Sequence, residues 1–347
     1  MKTLAFRFGT ALAGVAALGL VATGTTEAAE VDGPKVDWNL SLWGKKRAFT
    51  SGLEAVVAYV SEKTGGNFTI NMALGEALSK SRENLDGIQL GAFEMAAFCN
   101  FYHPGKNPSF MVMSLPFLPL ANPDVHQKVA EALYQHPAAI ADMDRWNAKL
   151  YLSSLLPQYE FLGRGDAPTT TDGFDGMRVR AGGGIGRAME VLGATRTTVP
   201  APEVYTVIER GTVDAVSFPF TYAHFAYRVH EVAEWYTSNL KPGTSECPTV
   251  INKDAWAALP PQYQQVLMDA KPVGYAALKK AYADIDEKNL PVLEQKLQKI
   301  VYSDADLAKF REKAGQPVWD EWVAENKDKF DSEGLLKMVL DTAKAAK

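Results

Sequence analysis

Arg180, followed by a run of glycines, is the most chemically suggestive feature of the 347-residue sequence. The arginine ends a predicted short strand, Met177 to Arg180, and Gly182-Gly183-Gly184-Ile185-Gly186 follows as a predicted loop before a short helix, Arg187 to Leu192. Glycines let backbone N–H groups at a helix start approach an anion closely. A guanidinium adds a planar fork of donors, so the pair suits a carboxylate or sulfonate in a semi-buried cleft. A dinucleotide fingerprint is excluded, because its third glycine would fall on Arg187. The residues alone leave a second reading open, a surface arginine paired with an acidic neighbour.

Other reactive side chains are scarce in pattern. The five histidines, His103, His126, His136, His224 and His230, include no pair at the i, i+4 spacing of a zinc helix. There is no Gly-x-Ser-x-Gly elbow, and the carboxylates Asp284 and Asp286 lie among lysines on a predicted solvated helix face. No catalytic residue, metal or cofactor is therefore expected. The two cysteines, Cys99 and Cys247, sit in no nucleophile context, and pairing in an oxidising compartment and two buried thiols both stay open. A net charge of −5 gives nucleic acid or an anionic membrane surface no positive field to meet.

The elements that must position Arg180 read as alternating strands and helices. Asp37 to Trp43 alternates, Phe49 to Lys63 repeats apolar residues at helical spacing, and Asn67 to Met72 alternates again. Ser81 to Gly91 follows as a helix and Phe93 to Phe98 as a strand. A similar order recurs around Arg180, with Thr197 to Pro200 an edge strand, Val204 to Arg210 a helix and Val213 to Ser217 a strand. This is an α/β chain folded as two halves of a clamp. Trp256 to Lys299 reads as a long helix lying across both halves, with kinks at Pro272 and Pro291, and the Lys-rich tail as a solvated helix. Ahead of all this, Lys2 and Arg7, the apolar stretch Gly9 to Gly24 and Thr26-Glu27-Ala28 form a secretory signal peptide, residues 1–28. The expected product is an exported periplasmic protein.

Several stretches, in order along nearly the whole exported chain, carry a family resemblance. They are Ser114-Leu115-Pro116-Phe117-Leu118, Gly176-Met177-Arg178-Val179-Arg180-Ala181-Gly182-Gly183, Leu192-Gly193-Ala194, Pro200 to Tyr205, Glu209-Arg210-Gly211-Thr212-Val213-Asp214-Ala215, and Asn252 to Pro260. Together they resemble the substrate-binding proteins of tripartite ATP-independent periplasmic (TRAP) transporters, the DctP family. The resemblance implies a two-lobed periplasmic binding protein fold with a long helix spanning both lobes. It assigns residues 36–155 plus 247–300 to lobe I and 156–246 plus 301–347 to lobe II. It also implies that Arg180 grips the carboxylate of a ligand enclosed between the lobes. Tyr159-Glu160 stands where the sugar-acid branch carries a second basic residue, and Ser217-Phe218 where the metal-bridged 2-oxo-acid branch carries an acidic residue and Trp. Neither a second anion grip nor a bound metal is expected.

The remaining expected ligand contacts are Trp43, Phe98, Tyr102, Tyr159 and Phe218, at strand ends facing the cleft, with Gly183 contributing its amide. The expected ligand is a small monocarboxylate with an apolar or aromatic body, delivered to small and large TRAP membrane subunits by a monomeric receptor. Glu160 leaves a zwitterion open, and a sulfonate would fit the same arginine. The rival readings are a receptor for an ATP-driven importer or a sensor kinase, and an exported enzyme using the same cleft.

Overall fold

The computed structural model describes residue 1 and residues 31–346, so the expected signal peptide lies outside the described residues. Eleven strands occur among the described residues: β1 Val36–Ser41, β2 Phe68–Ala73, β3 Met95–Ala97, β4 Ala148–Leu152, β5 Tyr159–Gly163, β6 Arg178–Arg180, β7 Thr195–Thr197, β8 Ala215–Pro219, β9 Trp235–Thr237, β10 Thr249–Asn252 and β11 Gln298–Ile300. They form two sheets, ordered β2-β1-β3-β10-β4 and β11-β9-β5-β8-β6-β7. The first sheet is the frame of lobe I and the second that of lobe II, and the chain crosses between them from β4 to β5 and back from β9 to β10. β1 alternates as the pleat requires, with the rings of Trp38 and the side chain of Leu40 buried and Asp37 and Asn39 turned away, whereas β5 and β8 are buried at every position.

The long helix, Pro261–Lys296, is continuous and contains both Pro272 and Pro291, while Trp256 belongs to a separate short helix, Lys253–Ala258. Its first half packs on helix Ser51–Lys63 of lobe I. Two glycines permit the close crossing, since a Cβ at Gly52 would stand 2.9 Å from the Gly274 carbonyl oxygen and one at Gly274 would stand 2.8 Å from Val56 Cγ2. Its second half meets lobe II: the rings of Tyr282 and Tyr222 are 5.1 Å apart, and Asp286 accepts from the Thr221 amide and hydroxyl. One rigid element is thereby fastened to both lobes.

Three elements near the C-terminus show which sheet or helix the late segments pack on. β11 pairs in parallel with β9, so residues 298–300 belong to lobe II. Helix Asp304–Ala314 packs on helix Gly183–Val191 of lobe II, but the last helix, Ser332–Ala345, returns to lobe I against helix Pro123–Gln135. The Lys-rich tail is not a solvated helix: Leu335, Val339 and Ala343 recur every four residues and are fully buried against Val125, Val129 and Leu133. Cys99 and Cys247 form a disulfide that ties the end of β3 to the approach to β10, strands already neighbours in the lobe I sheet. No helix among the described residues is long and apolar enough to cross a membrane.

Candidate functional site

Arg180 is 1% exposed at the end of β6, held there by pairing with β7 and β8 on either side. Its Nε and Nη2 donate to the Val199 carbonyl at 3.1 and 2.8 Å, and its Nη1 to the Ser217 carbonyl at 2.9 Å. Three of the five guanidinium N–H groups are thus spent on fixing its orientation, which leaves two for the Tyr102 hydroxyl and a ligand. No acidic side chain pairs with it among the described residues. The surface role falls instead to Arg178, whose guanidinium is half exposed and paired with Asp214. Burial pulls the pKa of Arg180 down from the ordinary value, while Tyr102, Tyr159 and Tyr227 act in the other direction.

The guanidinium lies 4.5 Å from the centroid of Phe218 and 5.5 Å from that of Phe101. These two rings come from opposite lobes and meet at a small cavity of about 20 Å³, room for about one water. Trp43, Tyr102 and the Cys99–Cys247 bridge line it from lobe I, and Tyr159, Tyr222 and Tyr227 from lobe II. Tyr102 accepts the Ala201 amide at 2.9 Å, so its hydroxyl joins the two lobes. Burial pushes the Tyr159 phenol up to about 12 and that of Tyr102 higher still, so both are neutral hydrogen-bonding groups at physiological pH. The walls offer flat apolar faces, a few hydroxyls and positive charge.

The structure therefore brings Trp43, Tyr102, Tyr159 and Phe218 together beside Arg180. It places Phe98, Glu160 and Gly183 elsewhere, for reasons that follow from strand and helix geometry. Phe98 points to the far side of lobe I, its ring 5.8 Å from Phe110. Glu160, next to Tyr159 on β5, points to the opposite face of the sheet. There it accepts from the Thr237 hydroxyl at 2.5 Å and the Lys241 amide at 3.1 Å, on the wall of a separate cleft of about 570 Å³ that also includes Phe220. Gly183 is not in a loop: the helix runs Gly183–Val191, so the glycines form its first turn.

That first turn meets lobe I rather than the cavity beside Arg180. The Gly184 amide donates to the Ser114 hydroxyl at 3.3 Å, and a Cβ at Gly184 would stand 2.6 Å from the Ser114 carbonyl oxygen. A Cβ at Gly182 would overlap the Phe101 ring at 2.1 Å. The glycines let two lobes touch backbone to backbone, which is a different use of the same small residue.

Among the cavity residues that escaped the sequence reading are Arg47, Phe49, Phe101 and Tyr227. Arg47 sits in the run Lys45-Lys46-Arg47, whose composition signals solvent exposure, and only the fold turns its third member inward. Phe101 follows Phe98 by three residues, a helical spacing inside what looked like the end of a strand; the turn Asn100–Tyr102 provides it.

Residues 41–326 match the family described as bacterial extracellular solute-binding protein, family 7, DctP. Among characterised relatives, the chain is 24% identical to the monocarboxylate 2-oxoacid-binding periplasmic protein of Nostoc sp., over 86% of each chain. It is 23% identical to the 2,3-diketo-L-gulonate-binding periplasmic protein of Escherichia coli, over 81% of this chain and 84% of that one. The fold matches a TRAP periplasmic solute-binding protein from Desulfovibrio salexigens with bound orotic acid, at a TM-score of 0.78 and 20% identity over 90% of this chain and all of the other. It also matches a TRAP solute-binding protein from Rhodoferax ferrireducens in complex with benzoate, at a TM-score of 0.79 and 17% identity over 90% and 98% of the two chains. Two lobes closing on a buried arginine, together with a family match that spans most of the chain, place this protein in the DctP family of bacterial extracellular solute-binding proteins.

Proposed function

We propose that this chain is the periplasmic receptor of a TRAP transporter, that it captures a small organic acid through a salt bridge to Arg180, and that it hands the acid to the membrane subunits. The observation that carries this reading is a fully buried guanidinium, fixed by two backbone carbonyls, without an acidic partner and with N–H groups left over beside an aromatic cavity. A buried cation without a counter-charge is costly, and an incoming carboxylate removes that cost. Phe101 and Phe218 cover the guanidinium from opposite lobes, so opening the lobes uncovers it and closing them around a flat acid desolvates the ion pair. The aromatic walls favour an apolar or aromatic body, in keeping with orotic acid and benzoate in the structural relatives. Glu160 faces away from Arg180, so the ammonium of a zwitterion finds no carboxylate in this cavity.

A melting-temperature screen of the exported chain with mono-, di-, keto-, hydroxy- and aromatic acids, sulfonates and neutral sugars tests this reading. Ligand at ~100 times its Kd stabilises the folded state by about 2.7 kcal/mol, a clear rise in melting temperature. Acids are expected to give that rise. Stabilisation by neutral sugars alone would overturn the anion-site reading, and turnover of a bound acid, followed by mass spectrometry, would point to an enzyme instead.

A further inference from the structure

The cleft reached by Glu160, about 570 Å³ in volume, is large enough for a ligand of its own and plays no part in holding the acid proposed above. It lies where the chain passes between the lobes. Gln158 and Lys241, from the two crossings, form part of its wall, together with Pro123 of lobe I, Phe220 of lobe II and Asp286 of the long helix.

The chemistry of this wall differs from that around Arg180. Three lysines, Lys241, Lys279 and Lys299, and three carboxylates, Glu160, Asp286 and Glu294, line it, so it exerts little net pull on an ion. Lys279 is paired with Asp124 and Lys299 with Glu294. Glu160 and Asp286 each take two donors, but a carboxylate offers about four acceptor sites, so both keep room for hydroxyl donors. Burial raises both carboxyls, Glu160 to about 7, which makes them hydrogen-bonding groups rather than strong counter-charges for an ammonium. Neutral polar atoms are left over: Gln158 Nε2 and the Tyr236 hydroxyl are buried and have no hydrogen-bond partner among the described residues. Tyr236 is 1% exposed, and its ring stacks on the half-buried ring of Phe220, with centroids 6.1 Å apart and planes 20° apart. The negative face of such a ring attracts the C–H bonds on one face of a sugar. Mixed neutral donors and acceptors beside a flat aromatic face suit a ligand rich in hydroxyls and without charge.

We propose that this cleft is a second binding site, separate from that of the acid, for a neutral sugar. Its hydroxyls bond to Gln158, Tyr236, Glu160 and Asp286, and its C–H face packs on the Phe220–Tyr236 stack. The site does not depend on Arg180 and stands apart from the organic-acid reading.

Calorimetric titration with glucose, galactose, arabinose and trehalose tests the assignment, at concentrations too low for general stabilisation by excluded sugar. At least one of them is expected to bind saturably, with a Kd of about 1 mM or tighter, to the native chain and to Arg180→Met alike. Gln158→Met and Tyr236→Phe each delete one unpartnered group and keep most of the volume. Each should weaken that sugar by about threefold to tenfold and leave the melting temperature of the ligand-free chain unchanged or higher, since a buried polar group without a partner does not stabilise the fold. A purely structural role for either residue would lower the melting temperature and leave sugar affinity alone. Absence of saturable binding by all four sugars would overturn the proposal, as would an affinity unchanged within about twofold in the Gln158→Met, Tyr236→Phe double variant. Sugar binding lost in Arg180→Met and kept in the double variant would place the sugar beside Arg180 and overturn it as well. A bound sugar with no acid bound removes the organic-acid reading and leaves this one, and the converse removes this one and leaves the other. If the double variant is unfolded, Tyr236→Phe, which loses a single hydroxyl, decides alone.

Discussion

The two sides of β5 differ in a way that volume alone would misjudge. Tyr159 faces a cavity of about 20 Å³ with Arg47 on its wall and Arg180 behind its rings, while the next residue, Glu160, faces a cleft of about 570 Å³. In the larger space the buried charge is already answered, since Glu160 takes two donors from its own lobe and Asp286 takes two from Thr221. Beside the smaller one, the buried Arg180 and the partly buried Arg47 have no carboxylate partner, and Arg47 Nε and the Tyr227 hydroxyl have no hydrogen-bond partner. Unpartnered polar atoms occur on the larger cleft too, at His126 Nε2, Gln158 Nε2 and the Tyr236 hydroxyl, so what sets the smaller cavity apart is a buried guanidinium beside it without a carboxylate.

The sharpest way to break this comparison is to remove one charge from each side. Arg180→Met keeps most of the volume and removes the proposed anchor, so the affinity for any acid ligand should fall by ~2 to 5 kcal/mol, about thirtyfold or more. It also strips donors from the Val199 and Ser217 carbonyls, which should cost ~1 to 3 kcal/mol of stability, visible in the melting temperature. Glu160→Gln should leave affinity within about twofold, because its side chain lies across the sheet from the cavity. Calorimetry on both variants checks this. Equal losses in the two would show that the sides of β5 are not independent.

A smaller effect is expected where the lobes touch. Gly184→Ala places a methyl 2.6 Å from the Ser114 carbonyl oxygen and 2.8 Å from Leu115 Cα, both backbone atoms of the other lobe. Overpacking of this kind costs ~1 to 3 kcal/mol. Where the cost falls on the closed form only, it appears as weaker binding by about fivefold or more at nearly unchanged stability of the ligand-free chain. Gly105→Ala, with nothing within 4 Å of the added methyl, is the control and should bind normally.

These contacts also show what the sequence could disclose. The strands nearest Arg180 were legible because β6 to β8 follow the alternation and turn signals of a parallel α/β unit, and the fold then buries whatever stands at the end of β6. The facing of Glu160 was in principle legible too: adjacent strand residues point to opposite faces, so Tyr159 and Glu160 do not share a cavity. The glycines were ambiguous, since one composition serves an anion loop and a close backbone contact alike, and only the identity of the partner, Ser114 seventy positions away, decides. Arg47 was hidden for the opposite reason, because a short basic run carries no local sign of which member the tertiary fold turns inward. The tail was misjudged because its lysines dominate the composition while Leu335, Val339 and Ala343 form a narrow stripe.

The smallest expected effect concerns pH, and it sharpens the contrast by showing that the larger cleft governs stability rather than binding of the acid. Burial raises the Glu160 carboxyl from 4.5 to about 7 and lowers His224 from 6.5 to about 3. The two are joined, since His224 Nε2 lies 3.2 Å from the Glu160 carbonyl, which can only accept, leaving Nδ1 buried without a partner. For Glu160 the folded state holds a proton that the unfolded chain has released, so stability falls as pH rises from about 4.5 to about 7. For His224 the unfolded chain holds the extra proton, so stability rises with pH from about 3 to 6.5. Between 4.5 and 6.5 the two slopes oppose each other, each at most ~1.4 kcal/mol per pH unit. Glu160→Gln should therefore uncover a melting temperature that rises with pH across this window, on the order of 2 °C per unit relative to the native chain. His224→Gln should uncover the reverse trend. Calorimetric scans of the ligand-free proteins at several pH values decide the matter: parallel curves for native chain and variants would show that neither buried group titrates in this window.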